Sequence, residues 1–461
     1  MSTAGDDVAG VTHGGTPPAR RSLWLHRGFT ALWTAHTLSQ FGTQIAFFAL
    51  PVLAVTTLDA TTTELGLLAA AETLPFLLIS LPAGVLVDRW PRRRVLIVSD
   101  LVRAVLLAAV PLAGLAGVLS LPLLVVVAML VGTGTVLFDI AYLSYLPALV
   151  HRADLPAGNA RLEFSRSAAE SAGPGLGGLA VQWTSAATAV WGNVLTYAGS
   201  ALLLAFTGGS RPTGGADPAD KDTGRPGEHE VNPDGADGAD GADGADRSDR
   251  ADATMVRAIG EGLRFVFRHP VLRALAVSTA VANLFGIGGA LSAVLTAYAV
   301  HDLHLSVGLF GLALTVGNAG AIVGALLNGV LLRVLGPGRT LLLTSLLPAL
   351  GLLLLATAEP SRAAVVIAVS MGLVAGSVTI YNIHQVSLRQ AVTDTRMQGR
   401  MNASIRFAIW GTLPLGALFG GALADLIGIR AALWCLGGLG CTACLPLLTR
   451  PIRTLRHMPS L

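Results

Sequence analysis

Twelve apolar runs, each near the roughly 20 residues that span a hydrocarbon core, recur along the chain at 28–57, 64–87, 95–117, 121–145, 158–182, 186–207, 271–299, 306–332, 339–358, 363–387, 401–426 and 430–449. A segment in hydrocarbon must satisfy its own backbone hydrogen bonds, which a helix of this length does. The pattern therefore predicts an all-α polytopic membrane protein with twelve transmembrane helices. Of 461 residues, 52% are hydrophobic and 13% charged, too apolar a balance for an ordinary soluble domain. The net charge of +3 does not indicate a nucleic-acid partner, because the arginines stand in short clusters between apolar runs and no basic face is interleaved with aromatics. Cys435, Cys441 and Cys444 all fall in the last run, where a thiol is a small hydrophobe. No disulfide framework, metal site, cofactor or nucleophile motif is indicated, so the chain does not read as an enzyme.

Orientation follows from the turn between the second and third runs, where Gly84 precedes Asp88, Arg89, Arg92, Arg93 and Arg94. Arginines are retained on the cytoplasmic side. His151, Arg152 and Arg161 fall on that same side, against Asp59, Glu64, an uncharged 115–120 and Gln182 on the other. Both termini are then cytoplasmic, in a multi-pass protein of the cell inner (plasma) membrane whose surroundings are lipid. Residues 1–22 are small and polar and lack an apolar core with a cleavage site, which predicts a disordered cytoplasmic tail and no signal peptide. Residues 23–207 form an N-terminal six-helix half. The Asp-, Gly-, Ala- and Pro-rich 208–254 predict a disordered cytoplasmic linker, and their three-residue spacing does not match the nine-residue calcium repeat. Residues 255–450 form the C-terminal half, opened by a short amphipathic helix with Arg257, Glu261, Arg264 and Arg268, and 451–461 are a second cytoplasmic tail.

The halves are repeats. At an offset of 245, Gly66 meets Gly311, Gly84 meets Gly329 and Arg94 meets Arg339. At an offset of 243, Asn159 meets Asn402, Phe164 meets Phe407, Gly173 meets Gly416, Gly178 meets Gly421 and Trp191 meets Trp434. Glycine matches arise by chance in a glycine-rich chain, but Asn, Phe and Trp in one register do not. Parallel repeats of this kind place a substrate site between the halves near mid-membrane.

Over all but the tail and linker, these features resemble the major facilitator superfamily. Gly84, Asp88, Arg89, Arg92 and Arg93 match its signature loop, and the resemblance implies that Asp88 holds a cytoplasmic gate against the start of the eleventh helix near Asn402, where the helix dipole favours a carboxylate. Gly173, Pro174, Gly177 and Gly178 resemble the fifth-helix antiporter motif of drug exporters. Small residues there also serve helix packing, and the two readings are compatible. The stretches 146–150 with Asn159, and Arg389 with 399–402, resemble the macrolide-exporter and siderophore-exporter branch. One departure stands out: where many proton-coupled antiporters carry a fourth-helix arginine, this chain has Ala128, four residues before Gly132.

Charges at bilayer depth cost at least roughly 2.5–3.5 kcal/mol, so they face the bundle interior and a partner. Glu72, Asp139, Glu163, Arg166, Glu170 and Arg406 are such residues. Glu163, Arg166 and Glu170 share one helix face by their spacing, and Arg406 occupies the repeat position of Glu163, which predicts either an inter-half pair or a gate. Glu170 and Asp139 lead as proton carriers, with Glu72 next, the alternative for Glu72 being a helix-to-helix hydrogen bond. Gln44, Asn283 and His384 are candidate cavity residues. The resulting expectation is a monomeric secondary transporter that exports a hydrophobic or amphipathic small-molecule substrate, drug-like or siderophore-like, by alternating access driven by a proton gradient. An importer of the same fold, and a non-transporting membrane sensor, are the alternatives.

Overall fold

The computed structural model describes residues 27–79, 83, 87, 89–151, 154–206, 260–261, 263–286, 288–394 and 397–453. The expected N-terminal tail and linker, all but 451–453 of the C-terminal tail, Gly84 and Asp88, and the side chains of Asn402 and Arg406 lie outside the described residues. The six helices of the first half are α1 (Arg27–Leu58), α2 (Thr62–Leu78), α3 (Arg92–Leu115), α4 (Leu121–Leu149), α5 (Leu155–Trp183) and α6 (Ala186–Phe206). The second half has α7 (Pro270–Phe285), α8 (Ala290–Ala297), α9 (Val307–Asn318), α10 (Gly320–Ala356), α11 (Ala363–Ala391), α12 (Gln398–Ile427), α13 (Ile429–Gly440) and the short α14 (Arg450–Arg453). A π turn, Tyr298–Asp302, follows α8, and a 3-10 turn, Cys441–Leu448, follows α13. Starts are encoded locally: Thr61 and Glu64 form a capping box at α2, and prolines occupy the first turns of α4, α5 and α7.

Among the described residues, nine helical stretches are long and apolar enough to cross a bilayer. The difference from twelve runs has physical causes. Val307–Ala356 carries two runs, joined where Gly336 adopts a left-handed φ of 75°. The α2 stretch is only 17 residues, and α5 carries Arg161, Glu163, Arg166 and Glu170.

The seventh run is not the continuous helix expected over 271–299. It breaks between α7 and α8, at Gly286 to Gly289. Each glycine in a helix interior costs about 1 kcal/mol, and here the glycines serve a close approach instead: a Cβ at Gly289 would lie 2.6 Å from the Leu413 carbonyl oxygen.

The two ends of the molecule are packed differently. Toward the end bearing Thr62 and Asp425, one apolar core is continuous across the halves: Phe48 and Val52 of α1 pack with Val294, Phe310 and Leu352, and the Phe48 and Phe310 rings lie 5.5 Å apart. Toward the arginine-bearing end the described cores belong to one half each. Phe29, Leu96, Phe138 and Leu146 cluster in the first, while Leu275, Leu341 and Leu388 cluster in the second. Among the described residues, the halves thus share an apolar core at one end only.

Candidate functional site

The seal is built by two crossed helix pairs, α2 against α12 and α5 against α9. A Cβ at Gly66 would lie 2.5 Å from the Ala417 carbonyl and 3.5 Å from the Gly421 Cα, and a Cβ at Gly178 would lie 3.0 Å from the Gly311 Cα. Gly66 and Gly311 are repeat partners, as are Gly421 and Gly178, so the two contacts are images of one another. The antiporter-like motif divides between two neighbours. Gly173 and Gly177 face Gln44 and Phe48 of α1, while Gly178, beside Pro174, faces α9. Asn318 of α9 donates a 2.9 Å hydrogen bond to the Glu170 carbonyl, where that seam ends. On the other seam, Phe76 stacks on Trp410 at 4.7 Å.

A carboxylate locks the sealed end. Asp425, in the last turn of α12, accepts hydrogen bonds from the Thr62 amide at 3.0 Å, the Thr63 amide at 2.9 Å and the Thr62 hydroxyl. It caps the N-terminus of a helix in the other half, where unpaired N–H groups and the helix dipole favour an anion. Sequence reasoning missed Asp425. Its only signal is an acidic residue closing an otherwise apolar run.

Within the first half, Asp100 and Arg103 of α3 form a buried ion pair, 0% and 1% exposed. Ser39 donates to Asp100 at 3.2 Å and accepts from Arg103 at 3.0 Å, and the guanidinium also reaches Thr135 at 3.4 Å. It lies over the rings of Tyr197 and Phe138, at 4.3 and 4.7 Å. The Gly132–Gly134 pair of α4 makes room on both sides: a Cβ at Gly132 would press on the Glu72 carbonyl at 2.8 Å, and one at Gly134 on the Arg103 side chain at 2.8 Å. Glu72 is 8% exposed and its Oε1 has no hydrogen-bond partner. The expected helix-to-helix hydrogen bond from its side chain is therefore absent among the described residues. It lines a narrow crevice with Thr43, Thr135, Tyr197 and Ala128, the position that lacks the arginine. The guanidinium beside that crevice comes instead from Arg103, one helix over.

The other charged candidates whose side chains are described have partners. Arg166 bridges Glu163 and Glu170 on one face of α5, all three about half-exposed. Asp139 accepts from Gln40 at 3.5 Å. Of the signature-loop arginines, Arg89 is exposed, Arg92 begins α3, and Arg93 donates at 2.9 Å to the Leu204 and Ala205 carbonyls, closing the C-terminus of α6. His384 is buried on α11, its Nε2 without a partner.

The second half holds a cavity of about 580 Å³ between α7, α10, α11 and α12. Asn283, Tyr381, Asn382, Gln385 and Arg389 supply its polar groups, and Pro348, Val378, Ile409, Trp410 and Leu413 its apolar wall. Asn283, in the last turn before the break in the seventh run, also donates to the Ile409 carbonyl at 3.3 Å. Of the expected cavity residues, Asn283 lies here. Gln44 and His384 do not.

The family model described as "Major Facilitator Superfamily" matches residues 32–412 and 289–458. The chain belongs to the major facilitator superfamily. Among curated superfamily members it is 28% identical over 375 residues to "Multidrug efflux pump Tap" of Mycolicibacterium fortuitum, covering 80% of this chain and 82% of that one. It is 29% identical over 413 residues to the pump of the same name from Mycobacterium tuberculosis strain H37Rv, covering 86% and 87%. The nucleoside transporter NupG superposes with a TM-score of 0.68 at 11% identity, covering 91% of this chain and 98% of its own. A bacterial homologue of the iron transporter ferroportin, in an inward-facing state, superposes with a TM-score of 0.67 at 15% identity, covering 92% and 100%. These superpositions establish the superfamily fold. Membership of that family, with the efflux-pump relatives and the membrane helices above, makes this chain a multi-pass membrane transporter, not an enzyme.

Proposed function

We propose that this chain exports hydrophobic or amphipathic small molecules by alternating access, in exchange for protons, and that its arginine-bearing end faces the cytoplasm. The observation that carries the reading is a cavity of about 580 Å³, walled by aliphatic and aromatic side chains with a few amides, in a molecule whose halves are sealed at the opposite end. That size and lining suit a small molecule bound through its apolar body. The two pumps named for multidrug efflux support export as the direction.

Proton coupling needs a carboxylate that can take up and lose a proton in the membrane. Asp100 is paired with Arg103, and Glu163 and Glu170 with Arg166, so each has a cation that holds its charge. Glu72 is buried beside the Arg103 network without such a cation, which favours it as the carrier over Glu170, and without the amide hydrogen bond that Asp139 accepts from Gln40, which favours it over Asp139. Movement of the Arg103 guanidinium toward the Glu72 crevice, as the halves rock, would expel the proton by placing a positive charge beside it.

The test separates uphill from downhill transport in inverted membrane vesicles. Glu72→Gln is expected to abolish accumulation against a gradient while leaving downhill exchange, because the cavity survives and the proton-linked step does not. Glu170→Gln and Asp139→Asn are expected to lower both rates together. Undiminished uphill transport by Glu72→Gln would remove Glu72 from the mechanism.

A further inference from the structure

We propose that the cavity of the second half is an anion site: it takes an amphipathic molecule whose carboxylate, sulfonate or phosphate pairs with Arg389 while its apolar body lies against Ile409, Trp410 and Leu413. The inference rests on the reading of the chain as a transporter of small amphipathic molecules and adds the charge that it selects.

Two arginines are buried among the described residues, Arg103 at 1% exposure and Arg389 at 9%. Their surroundings are opposite. Arg103 has a carboxylate, two hydroxyls and two aromatic faces. Arg389, in the last turn of α11, has no acidic partner among the described residues, and its Nε is fully buried with nothing to donate to. It is also the only charged residue among those lining the cavity. The hydroxyl of Tyr381, the other ionisable group in that lining, is already hydrogen-bonded to Thr279 at 3.0 Å.

A guanidinium taken out of water without an acceptor is costly, and proteins ordinarily supply a carboxylate or a carbonyl for it. Here the acceptor is left to come from outside. The planar fork of an arginine suits two-point pairing with a carboxylate, sulfonate or phosphate. The amides of Asn382 and Gln385, 3.1 Å apart, stand on the same helix two turns and one turn before Arg389 and provide further polar contacts beside the charge. The same positive charge disfavours a cationic ligand, so the site discriminates by repulsion as well as attraction. A volume of about 580 Å³ lies within the roughly 300–1,000 Å³ of small-molecule pockets.

The experiment is equilibrium binding to the purified full chain in detergent, using dansylglycine and dansylglycinamide, fluorescent probes that differ by one carboxylate. Dansylglycine is expected to bind at least about tenfold more tightly than the amide, a difference of about 1.4 kcal/mol. Arg389→Gln should erase that preference and leave the affinity for the amide within about twofold, which also reports that the variant is folded. Arg389→Lys should retain part of the preference, since it keeps the charge and loses the fork. Equal binding of both probes by the parent, binding of neither, or a preference that survives Arg389→Gln overturns the proposal. The parent comparison stands whether or not the variant folds. Binding does not depend on direction or driving force, so failure of the anion site and failure of the export reading are separable.

Discussion

Replacing Asp425 with alanine isolates the inter-half lock from everything else that holds the sealed end. The change removes the acceptor for two backbone N–H groups and one hydroxyl at the start of α2, but leaves the Thr61–Glu64 capping box that maintains the helix itself. Loss of a helix cap is worth about 1 kcal/mol. Asp425 is exposed, so its charge is screened and adds little more. Because the contact exists only when the halves meet at this end, the whole amount bears on the gate equilibrium. About 1 kcal/mol is about a fivefold change in the ratio of open to sealed molecules. Spin labels at Ser120→Cys and Glu359→Cys, in exposed loops of opposite halves, introduced after replacement of the three native cysteines, would read that ratio as short and long distance populations. The long population should grow about fivefold in Asp425→Ala, and less in Asp425→Asn, which keeps one oxygen acceptor. Unchanged populations in a folded Asp425→Ala protein would refute the lock.

Arg103→Met should cost about 3–5 kcal/mol, because it strands the buried Asp100 charge; a thermal melt in detergent should show the loss, and adding Asp100→Leu should recover most of it. Gly311→Leu should prevent closure of the α5–α9 seam, at an overpacking cost of about 1–3 kcal/mol; transport should stop and the same spin-label pair should report an open end. Asp88→Asn should insert and fold but lose most transport, with greater cysteine labelling from the arginine-bearing side. Unchanged transport and labelling together would remove Asp88 from gating.

Much of the fold was legible because the bilayer enforces it: the helices lie where apolar runs of spanning length occur, and the repeat register that aligned Gly66 with Gly311 and Gly178 with Gly421 also pairs the glycines that touch across the seam. The break at Gly286 to Gly289 was less legible, since glycine clusters elsewhere in this chain sit inside continuous helices. What differs is the partner. Leu413 and Gly416 of α12 press on that segment, and a pattern within one helix does not reveal what faces it. The cavity shows the same limit. Its wall comes from four helices far apart in sequence, so Arg389 read as part of a family-like stretch at the end of a run, and only its missing acceptor sets it apart. The Asp100–Arg103 pair has the spacing of three that places both side chains on one helix face. Its position beside the Glu72 crevice depends on how α3, α2 and α4 meet.

The central claim, proton-driven export, is tested most directly in inverted membrane vesicles containing the protein, with a panel of uncharged and anionic hydrophobic dyes and antibiotics and an imposed pH gradient. Accumulation above that of vesicles lacking the protein is predicted when the lumen is acidic, and it should collapse when an ionophore dissipates the gradient. Accumulation that is indifferent to the gradient, or that requires an alkaline lumen, would contradict proton antiport.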